Sequence, residues 1–211
     1  MRAVDRSRLI YLIRHGETAG NAERVVQVPG MPLSARGAAQ ADRLAHRLAD
    51  AGIARILSSD LPRAAMTAEA LRRRGDAPLD LDPLLQERNF GDVRGTPYAQ
   101  LAVDLFAPDY APPNGESWPT FRARVAEAWA RVVAAAAATP GHLAVVTHGL
   151  VCRVLAETHL RLPAGQVAPL RWENTSVTIC DGAAPWPVRL LNCAAHLDGQ
   201  ATGPRHDTTL A

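Results

Sequence analysis

Three short apolar runs, Leu9–Ile13, Ile53–Leu57 and His142–Thr147, are separated by segments with helical spacing, and this alternation restricts the chain to a layered α/β fold. The first strand is expected over roughly Leu9 to Arg14. Ser34 then caps a helix with Ala41, Leu44, Ala45 and Leu48 on one face, ending at Gly52. After the strand Ile53–Leu57, Ser59 or Asp60 is expected to cap a helix that tolerates Pro62 in its first turn and closes on Arg72, Arg73 and Arg74 before Gly75. A long helix follows from about Ser117 to Ala138, then the strand His142–Thr147 and a helix from about Leu150 to Thr158. The alternations Val177/Ile179 and Val188/Leu190 predict two closing strands, a late hairpin or edge pair. The expected architecture is a three-layer α/β/α sandwich with a mostly parallel central sheet, one domain over residues 1–197. The polar tail at 198–211 is expected to fray.

Composition narrows the chemistry. All 23 basic residues are arginines, so a phosphate-loop lysine and a Schiff-base lysine are excluded. A net charge of +2 argues against nucleic acid as a partner, and no run approaches the ~18 apolar residues a membrane span requires. Arg2, Asp5, Arg6 and Arg8 precede the first strand in place of an apolar signal region, and Cys152, Cys180 and Cys193 follow no metal or disulfide spacing. The expectation is a cytoplasmic protein without metal or cofactor.

Arg14-His15, Ser58-Ser59 and Thr147-His148 each stand at the carboxyl end of a predicted strand, where open α/β sheets bind their ligands. Two of these ends lead into helix N-termini, whose free N–H groups favour an anion. An imidazole there can attack phosphorus while a guanidinium grips the phosphoryl oxygens with two prongs. The Pro-, Gly- and Asp-rich stretch from Gly91 to Trp118 is too long for an ordinary connection and reads as a lid or specificity segment. Arg88, Arg94, Phe106, Tyr110 and Trp118 are candidate contacts for the part of a ligand beyond its phosphate. His46, His142, His159, His196 and His206 read as structural or solvated.

The ordered set of motifs resembles the histidine phosphatase superfamily, with its phosphoglycerate mutase-like fold, over nearly the whole chain. It comprises Arg14-His15-Gly16-Glu17-Thr18 with Asn21, Pro32-Leu33-Ser34 leading to Gly37, Gln40 and Ala41, and Ser58-Ser59-Asp60-Leu61 with Arg63-Ala64 and Thr67-Ala68. Glu87 with Phe90-Gly91 and Gly95, Gly115-Glu116-Ser117, Thr147-His148-Gly149, and a late Asn192 with His196-Leu197 complete it. The resemblance implies that His15 is the nucleophile, that Arg14, Arg63 and His148 bind the phosphoryl group, and that Glu87 is the acid and then the base. Glu116 is the alternative acid. Asn21, Thr18, Gln27, the Gly149 N–H and Arg88 are the implied or candidate substrate-binding positions.

The small phosphatases of that group often have Gln-Gly after the first motif, whereas here Gln27 is followed by Val28-Pro29. The group's mutases carry a longer insertion after the acid and a lysine about where Tyr98 stands. The chain is therefore read as a metal-independent phosphatase of the small branch acting on a small phosphomonoester. A cofactor-dependent phosphoglycerate mutase and a phosphate-binding module without turnover are the alternatives. Whether the chain forms a homodimer is left open by its residues.

Overall fold

The computed structural model describes residues 8–198. The chain runs β1 (Leu9–Arg14), α1 (Ala19–Ala22), α2 (Ala35–Arg47), β2 (Ile53–Ser58), α3 (Pro62–Gly75) and β3 (Leu79–Leu81). It continues through α4 (Trp118–Ala138), β4 (His142–Thr147), α5 (Gly149–Thr158), β5 (Val177–Asp181) and β6 (Val188–Cys193). The six strands form one sheet in the order β3-β2-β4-β1-β5-β6. β1, β2, β3 and β4 are mutually parallel, whereas β5 pairs antiparallel with β1 and β6 antiparallel with β5. The late pair is thus the sheet edge that the Val177/Ile179 and Val188/Leu190 alternations predict.

The central strands are apolar throughout because both faces of the sheet are covered. Ile10, Leu12, Leu143 and Val145 point to one face and pack with Phe121, Val125 and Trp129 of α4 and Val151 and Leu155 of α5. Tyr11, Ile13, Ala144 and Val146 point to the other and pack with Leu44 and Ala45 of α2 and Ala64, Ala68 and Leu71 of α3. Period-two alternation across a doubly covered sheet therefore produces the three layers.

Several boundaries depart from expectation. α2 stops at Arg47, and Gly52 instead supplies a turn at φ 68° ahead of β2. Neither Ser59 nor Asp60 caps α3. Its cap is Leu61, without a side-chain bond, because Pro62 brings no N–H and the Ser59 hydroxyl is engaged elsewhere. The helix runs through Gly75 and ends on Asp76 in the left-handed region. β3, three residues with Asp80 and Leu81 exposed, carries too little periodicity to be read. The tail from residue 199 onward, His206 and the extreme N-terminus lie outside the described residues.

Candidate active site

Arg14 closes β1, and the His15 N–H donates to the Thr147 carbonyl at the end of β4, so adjacent parallel strands deliver both motifs to one crevice. The following turn is locked from below by α2. Gln40 accepts from the Glu17 N–H at 2.8 Å, and Ser34, the α2 cap, hydrogen-bonds Glu17. A Cβ on Gly37 would lie inside the Glu17 carbonyl, and one on Gly16 would come within 2.6 Å of the Gly37 oxygen. Glycine at both positions is required by this backbone contact.

His15 is buried, with Nδ1 2.6 Å from the Gly16 carbonyl oxygen. A carbonyl only accepts, so the network assigns the proton to Nδ1 and leaves Nε2 with a free lone pair. Burial, and then the charges of Arg14 and Arg63, hold the imidazole well below its ordinary value, against the Gly16 bond. Both the hydrogen bond and the direction of this shift favour a neutral imidazole with Nε2 free.

His148 caps α5 with its ring centroid 5.1 Å from that of His15. Its Nε2 lies 2.8 Å from Ser59 Oγ, which accepts from the Leu61 N–H. Giving the serine proton to Nε2 satisfies both bonds and leaves Nδ1 as an N–H donor. That Nδ1 is buried without a partner, as are the Nε atoms of Arg14 and Arg63. Each orphaned buried donor costs about 1–3 kcal/mol. Three at one site, within electrostatic range of each other, describe a pocket for an anion.

The two arginines are anchored through other atoms. Arg14 Nη1 donates to the Trp172 carbonyl and Gly149 packs beside its Nε, where a Cβ would lie 3.6 Å away. Arg63 Nη1 reaches the Val28 and Pro29 carbonyls, each at 3.4 Å, so the departure after Gln27 provides a wall for this guanidinium. Burial, opposed by Glu87 and reinforced by Arg14 and Arg94, lowers Arg63 to about 10.

Glu87 follows a turn tied to β4 by the Thr147 hydroxyl, which donates to Leu85 O. Its carboxyl accepts from the Arg88 and Leu150 N–H groups at 3.0 and 3.2 Å, and no side chain among the described residues bonds it. Burial pushes it up, against those bonds and the two arginines. Glu116 is differently placed. It pairs with Arg124 at 2.7 Å and accepts from the Asn89 N–H. Burial pushes its carboxyl up, but these bonds outweigh burial and hold it below the ordinary range. Glu116 is a strut, and Arg124 also donates to the Glu87 carbonyl, fixing the segment that carries the proton-transfer candidate.

Thr18 and Asn21 form the capping box of α1, and the Thr18 hydroxyl donates to Gln27 Oε1 at 2.8 Å. Asn174, which the sequence reading passed over, donates to both the His15 carbonyl and Asn21 Oδ1. It thereby links this turn to the backbone of His15. The polar run Glu173-Asn174-Thr175 at the mouth of β5 was the available signal. Arg88 is a correction: its guanidinium is buried and donates to the carbonyls of Glu116, Leu105 and Tyr110, 4.3 Å over the Trp118 ring. Arg88 and the Trp118 indole, whose N–H donates to the Ala107 carbonyl, hold the 91–118 segment together, whereas Tyr110 contributes its backbone carbonyl to Arg88. Among the other histidines, His142 accepts from the Leu9 N–H, His159 stacks on Trp129 and His196 contacts Arg47 and Thr175. Among the described residues no group of three or more His, Cys, Asp or Glu is placed to hold a metal, and no helix is long and apolar enough to cross a membrane.

Two histidines and two arginines, gathered at the carboxyl ends of a mostly parallel sheet, form a candidate anion site built without lysine. A family model described as histidine phosphatase superfamily (branch 1) matches residues 10–191, and the chain belongs to that superfamily. Among curated relatives, the probable phosphoglycerate mutase GpmB of Escherichia fergusonii is 33% identical over 208 residues, covering 91% of this chain and 96% of the relative. Among solved structures, mycobacterial glucosyl-3-phosphoglycerate phosphatase in complex with VO3 superposes with a TM-score of 0.76 at 28% identity, over 89% of this chain and 100% of that one. The alpha-ribazole phosphatase of Shigella flexneri gives a TM-score of 0.77 at 29% identity, over 89% and 97%.

Proposed function

We propose that the chain hydrolyses a small phosphomonoester without a metal, through a phosphohistidine on His15. Nε2 of His15 attacks phosphorus, the P–N bond forms as the ester P–O bond breaks, and Glu87 gives its proton to the departing alkoxide. Arg14, Arg63 and Nδ1–H of His148 take the equatorial oxygens, where charge is spread in the transition state. Water then attacks the phosphohistidine, Glu87 recovers a proton from it, and inorganic phosphate leaves with His15 neutral again. The observation that carries this reading is the free Nε2 of a buried neutral His15 beside three unpartnered N–H donors.

The phosphatase neighbours support hydrolysis. The curated relatives' name keeps phosphoglycerate isomerisation as a second reading. One assay separates them: phosphate release from a phosphomonoester panel with chelator present, native chain against His15→Ala, with 3-phosphoglycerate tested with and without its bisphosphate. Chelator-resistant release that depends on His15 supports the phosphatase. Isomerisation without release supports the mutase, and inertness on every substrate overturns both.

A further inference from the structure

Gln40 is the one polar side chain in the buried stripe of α2, among Gly37, Ala41, Leu44 and Ala45, and it is only 4% exposed. Burying an amide is unfavourable unless its polar atoms are matched. The match lies outside the helix, where Oε1 accepts from the Glu17 N–H at 2.8 Å. A backbone N–H only donates, so this contact sets which way the Gln40 amide faces. Gly16 and Gly37 already bring the turn against α2 by close backbone packing, and attachment alone does not call for a buried amide.

The two peptides that follow His15 are each held at both ends. In the first, the His15 carbonyl accepts from Asn174 Nδ2 at 3.1 Å and from the Thr175 N–H at 3.2 Å, while the Gly16 N–H donates to Thr67 Oγ1 at 3.1 Å. The Thr67 hydroxyl donates in turn to the Arg63 carbonyl at 2.7 Å, so the turn and α3 share one anchor. In the second peptide, the Gly16 carbonyl takes the Nδ1 proton of His15 at 2.6 Å, and the Glu17 N–H goes to Gln40. The first peptide fixes the plane, and the second makes a chain from imidazole N–H to amide carbonyl and from amide N–H to Gln40. Bonds in series across one amide polarise each other, by roughly 10–30% per bond. An acceptor on its N–H side makes the Gly16 carbonyl a stronger acceptor, and 2.6 Å is shorter than the roughly 2.9–3.0 Å usual for such a pair.

We infer that Gln40 is a positioning residue that acts on His15 through the Gly16–Glu17 peptide, holding the Nδ1 proton and with it the lone pair that Nε2 presents to phosphorus. The use made of Nε2 rests on the phosphatase reading. The hold on the Nδ1 proton does not. A ring nitrogen whose N–H is firmly accepted leaves more electron density on the other nitrogen, so Gln40 raises the nucleophilicity of an atom it never touches.

Nitrogen NMR of the chain labelled with 15N-histidine tests the hold, with His15 assigned by the resonances missing from His15→Gln. The native spectrum should show Nδ1 protonated and Nε2 bare. Gln40→Met, which keeps the stem and removes the acceptor, should move the Nδ1 proton upfield and speed its exchange, and Gln40→Glu, which restores an acceptor, should bring it back. Ser34→Ala removes the serine bonds to Glu17 but leaves the Glu17 N–H on Gln40, so it loosens the turn without moving that proton. In Gln40→Met, kcat/KM on p-nitrophenyl phosphate should fall roughly threefold to tenfold, the range of one neutral hydrogen bond, with inhibition by inorganic phosphate unchanged. The acid limb of that profile should move to lower pH, because the Gly16 bond supports the charged imidazole. A merely structural role would admit water and move it up toward 6.5. An Nδ1 proton indifferent to Gln40→Met, one that shifts equally in Ser34→Ala, or an acid limb that moves up overturns the assignment. A proton that follows Gln40 in a chain hydrolysing no phosphomonoester overturns the phosphatase reading and leaves the hold on His15 standing.

Discussion

Replacing Glu87 by Gln is the perturbation that tests the proton transfer most directly. The Glu87 carboxylate accepts from two backbone N–H groups, and no side chain among the described residues shares it. An amide keeps one acceptor oxygen, so one N–H loses its partner at about 1–3 kcal/mol of stability. The larger effect is kinetic. Loss of a positioned general acid costs about 10²–10⁴ in rate, or roughly 2.7–5.4 kcal/mol of barrier, for an alkyl leaving group that must be protonated. A nitrophenolate leaves without a proton, so phosphorylation of His15 by p-nitrophenyl phosphate should survive. Activation of the water still needs the carboxylate. Stopped-flow of Glu87→Gln should therefore show a burst of one nitrophenolate per site followed by slow turnover, with a base-stable phosphohistidine trapped on the protein. Glu116→Gln, which opens the ion pair with Arg124, should lower stability and slow both substrates together without a burst. Equal losses on both leaving groups in Glu87→Gln, with no burst, would refute the role given to Glu87.

Three further outcomes follow from the geometry. Both active-site histidines have folded values well below the ordinary 6.5, so the unfolded chain takes up protons first as pH falls. Stability should then drop below pH 6.5 by about 1.4 kcal/mol per histidine per pH unit, or roughly 2–3 kcal/mol between pH 7 and 5.5. Glu87, raised in the folded state, offsets part of this, and unchanged urea midpoints at the two pH values would exclude it. Gly37→Ala drives a methyl into the Glu17 carbonyl and should cost about 3 kcal/mol, whereas Gly30→Ala meets nothing within 4 Å and should be neutral by thermal melting. Arg88→Met keeps the stem but orphans the carbonyls of Leu105, Tyr110 and Glu116, so limited proteolysis between residues 101 and 117 should accelerate. Unchanged cleavage would contradict the anchoring role.

Legibility tracked burial on two faces. β1 and β4 are continuous apolar runs because helices cover the sheet on both sides, and their limits could be read to the residue. β3 could not, since an edge strand of three residues with Asp80 and Leu81 exposed has little to bury. The start of α3 misled for a different reason. Ser59 is a favoured capping residue, yet its hydroxyl serves His148, and tertiary chemistry overrode the local preference.

The same competition explains which site residues were legible. His15, Arg63 and His148 would act through their own side-chain atoms, so residue type and placement at strand ends betray them. Arg88 has the same residue type as Arg63 and stands beside Glu87, but its three guanidinium nitrogens donate to the carbonyls of Glu116, Leu105 and Tyr110, a destination no spacing reveals. Asn174 is the reverse case. It touches the His15 carbonyl and Asn21, so it acts on the backbone of His15 through its own amide, and the polar run Glu173-Asn174-Thr175 was the one sequence signal for it.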